Sequence, residues 1–522
     1  MKITGDIRRD FDKVTAENAQ LKDRILGYQE QIHDLRRSLN KMQKTKDSQK
    51  AAYEEQLAEK DAITKELKNR LEHELALKGH DGTNTGITTS QTPVNKKKVI
   101  PNSRRSTGKK KGGQPGHERH GMEIPSDDEI DEIVVHELQK EECCPKCGGQ
   151  GYVFTGECEV KYEVDIRIDV VRKRHEYYVY ECTGCGERFR TGIAPGLRAE
   201  CQYGPVVQAS ALSLMNTVNA PINKVHTFLL GITGGQVAPC EGYIAKLQRR
   251  ASSALDTFMA ELRLLLVTRS LVYWDDTVIM INKTRGCLRF YGDEGIAYYT
   301  AHPHKDMEGL DDDNVLSLLT SQTTAMHDHN KVNYNEKYSF QNIECNQHLQ
   351  RDLQKSADDT GHPELLELKE LISKTIKDRK EQIVSGAEAF DDAYTARFEE
   401  QLDDILDRAE KKNLQDFNPY SGQFEQNLIE RIREYHDNYF SWIYDFSLPT
   451  TNNLSERALR CVKSHMKISG QFESEKTAGY FAKIKSYVET CRRNGINEIH
   501  ALTRLCEGNP YTVKEIFSSG SR

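Results

Sequence analysis

Apolar residues near the start of the chain recur at alternating spacings of four and three: Val14, Leu21, Ile25, Tyr28, Ile32, Leu35, Leu39 and Met42. With Leu21, Tyr28, Leu35 and Met42 as d positions, Asn18, Ile25, Ile32 and Leu39 fall at a. Ile at a, Leu at d and one polar Asn at a favour a parallel two-stranded coil in a fixed register. The pattern weakens around Lys46 and resumes with Leu57, Ile63, Leu67 and Leu71. One amphipathic helix packed on its own domain is the alternative, but a charged segment with no second apolar face has little else to bury against. Residues 1–80 therefore read as a coiled coil that makes a homodimer or a higher oligomer.

The texture changes at His80 to Gly, Thr, Ser and Asn, and then to the basic runs Lys96-Lys97-Lys98, Arg104-Arg105 and Lys109-Lys110-Lys111, with Glu118 the single acid between Asn95 and His120. Residues 81–125 read as a basic linker. A solvated linker is one reading; the other is phosphate contact by such residues as Lys109, Lys110 and Lys111. Residues 126–200 hold two C-x2-C knuckles, Cys144-Pro145-Lys146-Cys147-Gly148 and Cys182-Thr183-Gly184-Cys185-Gly186. Each spacing lets two thiolates bite one ion, and the glycine after the second Cys relieves the turn. Together, Cys144, Cys147, Cys182 and Cys185 predict a structural zinc. Cys143 and Cys158 are substitutes or bystanders. The alternation of Tyr162-Glu163-Val164-Asp165-Ile166 and Tyr177-Tyr178-Val179-Tyr180 predicts a β-ribbon between the knuckles.

Residues 201–270 turn to helical periodicity. Two helices, near 222–230 and 241–250, flank Gly231-Ile232-Thr233-Gly234-Gly235, with Lys246, Arg249 and Arg250 on the second. This pattern suits a helix-turn-helix contact with DNA or ordinary helix packing. Residues 271–353 follow a different rule. Leu271-Val272-Tyr273-Trp274-Asp275-Asp276-Thr277-Val278-Ile279-Met280-Ile281 is a strong strand former, and strand alternation keeps Asp275 and Asp276 on opposite faces. A hairpin (288–291 and 297–300), a helix at 315–319 and a strand ending in Ala325-Met326-His327-Asp328-His329 follow. Three strands, a helix and a strand, with acids in the first and at the end of the fourth, are the order of a ribonuclease-H-like fold, in which those two strands are neighbours. Residues 354–447 read as a helical insertion and 448–522 as the completion of the core. There Thr451-Asn452-Asn453-Leu454-Ser455-Glu456-Arg457 gives a polar N-cap and puts Glu456 in the first turn of a helix. Glu456 could simply complement the helix dipole, but Arg460, Lys463 and Lys467 step along one side behind it, a layout that pairs a carboxylate for metal with cations for phosphate.

Composition narrows the picture little. The balance of 73 Lys+Arg against 80 Asp+Glu argues neither for nor against nucleic acid. No apolar run approaches the roughly 20 residues of a membrane span, and Met1-Lys2-Ile3-Thr4 does not begin a signal peptide. The expectation is a cytoplasmic protein, nucleoid-associated when on DNA, with no membrane partner. The 13 cysteines, an odd number, fit reduced thiols and a metal site better than a disulfide framework.

Several pieces taken together resemble the transposases of the insertion-sequence-66 family, of the TnpC type with an Asp-Asp-Glu site. In order they are Thr15-Ala16-Glu17-Asn18-Ala19-Gln20-Leu21, Gly112-Gly113-Gln114-Pro115-Gly116-His117, the paired knuckles, Tyr203-Gly204-Pro205, His327-Asp328-His329, Cys345-Asn346-Gln347-His348-Leu349, Thr451 to Arg457, and Lys467-Ile468-Ser469-Gly470. The resemblance covers nearly the whole chain. It implies Asp275, Asp328 and Glu456 as catalytic residues holding two magnesium (or manganese) ions, DNA cleavage and strand transfer at insertion-sequence ends, and a place for small accessory proteins. The family's Asp-Glu-Thr stands here as Asp275-Asp276-Thr277. Cys345 and His348 match a Cys-x-x-His motif whose neighbours Asn346-Gln347 and Gln350-Arg351 depart from the family pattern. The fold expected is multidomain α+β: N-terminal coiled coil, zinc-ribbon-like domain, helical DNA-binding region, and a ribonuclease-H-like α/β catalytic core with a helical insertion. Two rivals are a transposase-derived DNA-binding protein without catalysis and a ribonuclease-H-like nuclease without strand transfer.

Overall fold

A computed structural model describes residues 3–79, 122–137, 142–150, 153–418 and 421–518. The basic run with Lys109, Lys110 and Lys111 lies outside the described residues. The chain divides into two units, Met1–Asp81 and Gly82–Arg522. The first is a single helix, α1 (Ile3–Gly79), unbroken where the heptads weaken at Lys46. Its seam residues Leu21, Ile25, Tyr28, Ile32, Leu35, Leu39 and Met42 are all exposed.

In the second unit, the described residues 142–150 and 180–189 hold the cysteine knuckles. Each knuckle closes on itself: the amide of Cys144 donates to Gly149 O and that of Gly148 to Cys144 O, both at 2.8 Å, and Cys182, Glu187 and Gly186 repeat the pattern. Gly148 and Gly186 take φ of 71° and 74°, the left-handed turn only glycine adopts freely. The expected ribbon is short. Among the described residues of this region, only β1 (Tyr180–Glu181) and β2 (Arg188–Phe189), which flank the second knuckle, pair. The alternating stretch 162–166 forms no strand, because period-2 alternation makes a ribbon only where a partner strand and an apolar layer receive it.

Four helices follow, α2 (Pro205–Asn216), α3 (Ile222–Ile232), α4 (Glu241–Ser253) and α5 (Asp256–Leu266). The turn between α3 and α4 uses Gly234 and Gly235 at positive φ. On α4, Lys246 and Arg249 are exposed, whereas Arg250 stacks over the Tyr243 ring at 5.1 Å.

Five strands make the central sheet: β3 (Leu271–Ile281), β4 (Thr284–Gly292), β5 (Ala297–His302), β6 (Thr324–His327) and β7 (Gln341–Glu344), in the order β5-β4-β3-β6-β7. The first three form an antiparallel meander, while β6 runs parallel to β3 and β7 parallel to β6. The helix between β5 and β6 is α6 (Met307–Asp313), with the Asp306 side chain accepting from the Gly309 amide at its start. The helix expected at 315–319 is one 3-10 turn, Leu316–Leu318. Its apolar residues pack into the core without continuing a 3.6-residue period.

The helical insertion starts directly after β7 with α7 (Asn346–Thr360), earlier than the sequence boundary, and continues through α8 (Glu364–Val384), α9 (Asp392–Gln415), α10 (Ser421–Glu434) and α11 (His436–Phe440). It has its own core of Leu353, Leu368, Leu402, Ile429, Phe440 and Trp442. The chain then returns as α12 (Asn453–Ser469), α13 (Glu475–Arg493), α14 (Glu498–Cys506) and α15 (Val513–Ser518). On one sheet face, Val272 and Trp274 pack with α2, α4 and α5. On the other, Ile279, Leu288 and Phe290 receive Leu459, Val462 and Met466 of α12. Helix α13 covers the free edge of β5: the Tyr299 amide donates to Ser486 Oγ at 2.8 Å and the Ala297 amide to Thr490 Oγ1 at 3.1 Å, which takes two edge amides out of reach of a foreign strand. Among the described residues, no helix is long and apolar enough to cross a membrane.

Candidate active site

Strand register sets the site. Tyr273 is level with Met326 across β3 and β6, and Met326 with Ile343 across β6 and β7. Continued by two residues, the same register brings Asp275, in the middle of β3, level with Asp328 and Cys345, each just past the carboxyl end of its own strand. The Cys345 amide donates to His327 O at 3.0 Å and so fixes the exit of β7 beside Asp328. Alternation on β3 separates the two adjacent acids. Asp276 lies 2.6 Å from Lys305 Nζ, whereas Asp275 feels the charges of Asp328 and of Lys463 on α12.

The third acid arrives through α7 and α12. His348, in the first turn of α7, has Nδ1 at 2.9 Å from Asp328 Oδ1 and at 3.8 Å from Glu456 Oε1. Arg351, one turn on, lies 3.9 Å from Glu456 Oε1 and 3.1 Å from His348 Nε2. The elements are fastened by Asn452. Its amide donates to Cys345 Sγ at 3.2 Å, its side chain donates to Trp274 O at 2.9 Å, and its carbonyl accepts from the Glu456 amide at 3.1 Å. Ser455 donates to its side-chain oxygen. The sequence cast this polar residue as an N-cap; it does stand at the N-cap, but its side chain reaches to β3 instead of capping the helix.

Burial, then the charges of Asp328 and Asp276, raise the Asp275 pKa to about 8, against the smaller pull of the Asp276 amide and Lys463. Burial alone would lower the His348 pKa, but the Asp328 carboxylate and the Cys345 thiol outweigh it and raise the value to about 10. Asp328 Oδ1, His348 Nδ1 and Glu456 Oε1 are buried atoms without an aligned hydrogen-bond partner. Unsatisfied buried donors and acceptors are costly; here His348 Nδ1 offsets part of that cost as the ion-pair partner of Asp328 Oδ1, a place that a bound cation would take over.

Along α12, Glu456, Arg460, Lys463 and Lys467 step by four, three and four residues and share one side of the helix. Arg460 is exposed; Lys463 and Lys467 are half-buried. A cavity of about 390 Å³ lined by Arg457, Cys461, Lys485 and Glu489 contains none of the three acids. The knuckle cysteines stand differently from their expected cluster. Among the described residues, Asp328, Cys345 and His348 form the one group of three potential ligand atoms lying within 4.8 Å of one another. Cys144, Cys147, Cys182 and Cys185 are therefore not gathered around a point, although backbone amides lower the Cys144 and Cys182 pKa values. His348 and Arg351 are neighbours the sequence left without a role, and Asn452 is one to which it gave only a capping role. The Cys-x-x-His spacing and the asparagine pair before Glu456 were the signals for the first and the last.

A model of the Transposase IS66 family matches residues 200–480, from α2 to the start of α13, with all three acids inside. No curated protein matches the chain. This match defines a transposase, with transposition as its function and DNA as its partner. The chain belongs to the Transposase IS66 family. Divalent metal is usual in such proteins, and the candidate ligand group among the described residues is Asp328, Cys345 and His348, with the buried Glu456 Oε1 3.8 Å from His348 Nδ1.

Proposed function

We propose that this protein cleaves DNA at the ends of its mobile element and joins the freed 3′-hydroxyl to target DNA, with Asp275, Asp328 and Glu456 as its catalytic residues. The observation that supports the reading is that Asp275 feels the charge of Asp328 from the neighbouring parallel strand, while His348 contacts Asp328 and stands 3.8 Å from Glu456. The strand order β5-β4-β3-β6-β7 supports the ribonuclease-H-like reading of the core.

The three acids would hold a pair of magnesium or manganese ions, which when bound make water or a 3′-hydroxyl a better nucleophile and stabilise the leaving oxygen. The protein's own side chains position the DNA. Arg460, Lys463 and Lys467 would take successive phosphates along α12 and set the scissile bond against Glu456, and no protein nucleophile is required. Lys463 also tempers the repulsion at Asp275. Two further proposals concern the rest of the chain. The exposed seam of α1 pairs two chains as a parallel coil. Cys144, Cys147, Cys182 and Cys185 close around one zinc, supported by two knuckles each already turned for thiolate ligation.

Incubation of the purified protein with its element's end DNA, a target plasmid and Mg²⁺ tests the reading. Joined products with the 3′ end of the element covalently linked to target are expected. Nicked ends without joining would reduce the activity to that of a nuclease, and intact DNA under conditions of firm binding would leave a DNA-binding protein.

A further inference from the structure

Three carboxylates account for only part of the ring of groups around the site. His348 turns Nδ1, a buried atom without an aligned hydrogen bond, toward Asp328 Oδ1 at 2.9 Å and Glu456 Oε1 at 3.8 Å, both equally orphaned. Ligands of a first-row or magnesium ion sit at about 2.1 Å. Adjacent ligands are then roughly 3 Å apart and opposite ones roughly 4 Å. The two observed separations lie within that range. The ring is also fixed from behind: His348 follows Cys345 by three residues on α7, and the buried Cys345 thiol, which accepts the Asn452 amide, lies against it. An ordinary surface histidine has neither the orphaned atom nor the buried support.

We propose that His348 is itself a metal ligand, adding an imidazole nitrogen to the Asp328 carboxylate, with Cys345 Sγ within 4.8 Å of both and Glu456 Oε1 3.8 Å from Nδ1, so that this position takes Mn²⁺ in preference to Mg²⁺. The inference rests on the reading that these carboxylates bind metal. Its chemistry is that of donor softness: imidazole suits transition ions, whereas Mg²⁺ holds to oxygen donors and water. One consequence concerns Arg351. A guanidinium only donates hydrogen bonds, and it lies 3.1 Å from His348 Nε2, a contact that is a hydrogen bond only in the tautomer with its hydrogen on Nδ1. Ligation through Nδ1 leaves the ring hydrogen on Nε2. Arg351, more than half exposed, must then turn away, which frees its guanidinium for a phosphate of the DNA.

Mn²⁺ alone, added to the full-length protein without DNA, provides the probe. Binding is read from the loss of the free-ion electron paramagnetic resonance signal, and ligation from ¹⁴N modulation of the bound ion, with ¹⁵N-histidine labelling to assign the nitrogen. The wild type is expected to show histidine nitrogen coupling and to hold Mn²⁺ at least about tenfold more tightly than Mg²⁺. His348→Gln should lose the coupling and most of the Mn²⁺ preference while Mg²⁺ affinity changes little. Bound Mn²⁺ without nitrogen coupling in the wild type, with binding abolished by Asp328→Asn, would overturn the role of His348 and leave the carboxylate site standing. Unchanged binding in both Asp328→Asn and Glu456→Gln would overturn the carboxylate site and this inference with it. Because coupling is read in the wild type, the result does not depend on the variants folding.

Discussion

At the scale of single residues, alternation along β3 decides which of two adjacent acids does chemistry. Asp276 is held by Lys305 on the face away from Asp328, and Asp275 is not. Asp276→Asn should therefore leave metal affinity within a few-fold of wild type by calorimetry, whereas Asp275→Asn should abolish most of it. Asn452 is the residue on which the geometry depends. One side chain and its own backbone tie β3, the start of α7 and α12, the segments that bring Asp275, His348 and Glu456. Removing its side chain leaves the Trp274 carbonyl without its Asn452 donor and should cost about 1–3 kcal/mol, measurable by urea unfolding. The candidate acids could be picked out in the sequence from a carboxylate pair in a strand and a Glu in the first turn of a basic-faced helix, but their catalytic assignment came from the family resemblance. Asn452 was legible only as a cap, since its partners lie far off in the chain and no local period points to them.

At the scale of elements, α12 carries both the third acid and the basic stripe. It is seated by an apolar side and by His465, whose ring stacks on Phe472 at 4.7 Å and lies 5.0 Å from Phe481. Burial lowers the His465 pKa to about 4. The folded state thus resists a proton that the unfolded chain accepts near 6.5. Above that pH the residue contributes no slope; as pH falls from about 6.5 to about 4, it should cost up to about 3 kcal/mol. His465→Gln should remove that part of the acid sensitivity in thermal unfolding followed across pH. On the outer side of the helix, Arg460→Ala should weaken binding to all DNA sequences alike and reduce the salt slope by about one. Long periodic elements such as α1, β3, α3 and α4 were readable from spacing alone. Helix α6 was not, because its seven residues, Met-Glu-Gly-Leu-Asp-Asp-Asp, offer only Met307 and Leu310 to an apolar face. The 3-10 turn after it attracted the helical reading for the opposite reason, a dense apolar run without room for a period.

At the scale of the whole molecule, the second unit interrupts a sheet-based core with a helical insertion that has its own hydrophobic interior, so the sequence distance between Asp328 and Glu456 does not separate them in space. The relative placement of strands came from the order of elements, and the register that aligns Asp275 with Asp328 came only with the pairing itself. Two segments outside the matched residues 200–480 supply separate tests. Deleting residues 3–79 should lower the mass in sedimentation from dimer to monomer, and an unchanged mass would place the interface elsewhere. Metal analysis should find about one zinc per chain, lost when Cys182 becomes Ser; a folded, metal-free region would refute the four-thiolate site. The central claim, that three distant acids form one cleaving centre, is tested most directly by end-DNA cleavage with Mg²⁺ for Asp275→Asn, Asp328→Asn and Glu456→Gln, with DNA binding measured in parallel. Each variant should bind end DNA within a few-fold of wild type and cleave it at least about a thousandfold more slowly, and a variant that cleaves at the wild-type rate would contradict the account.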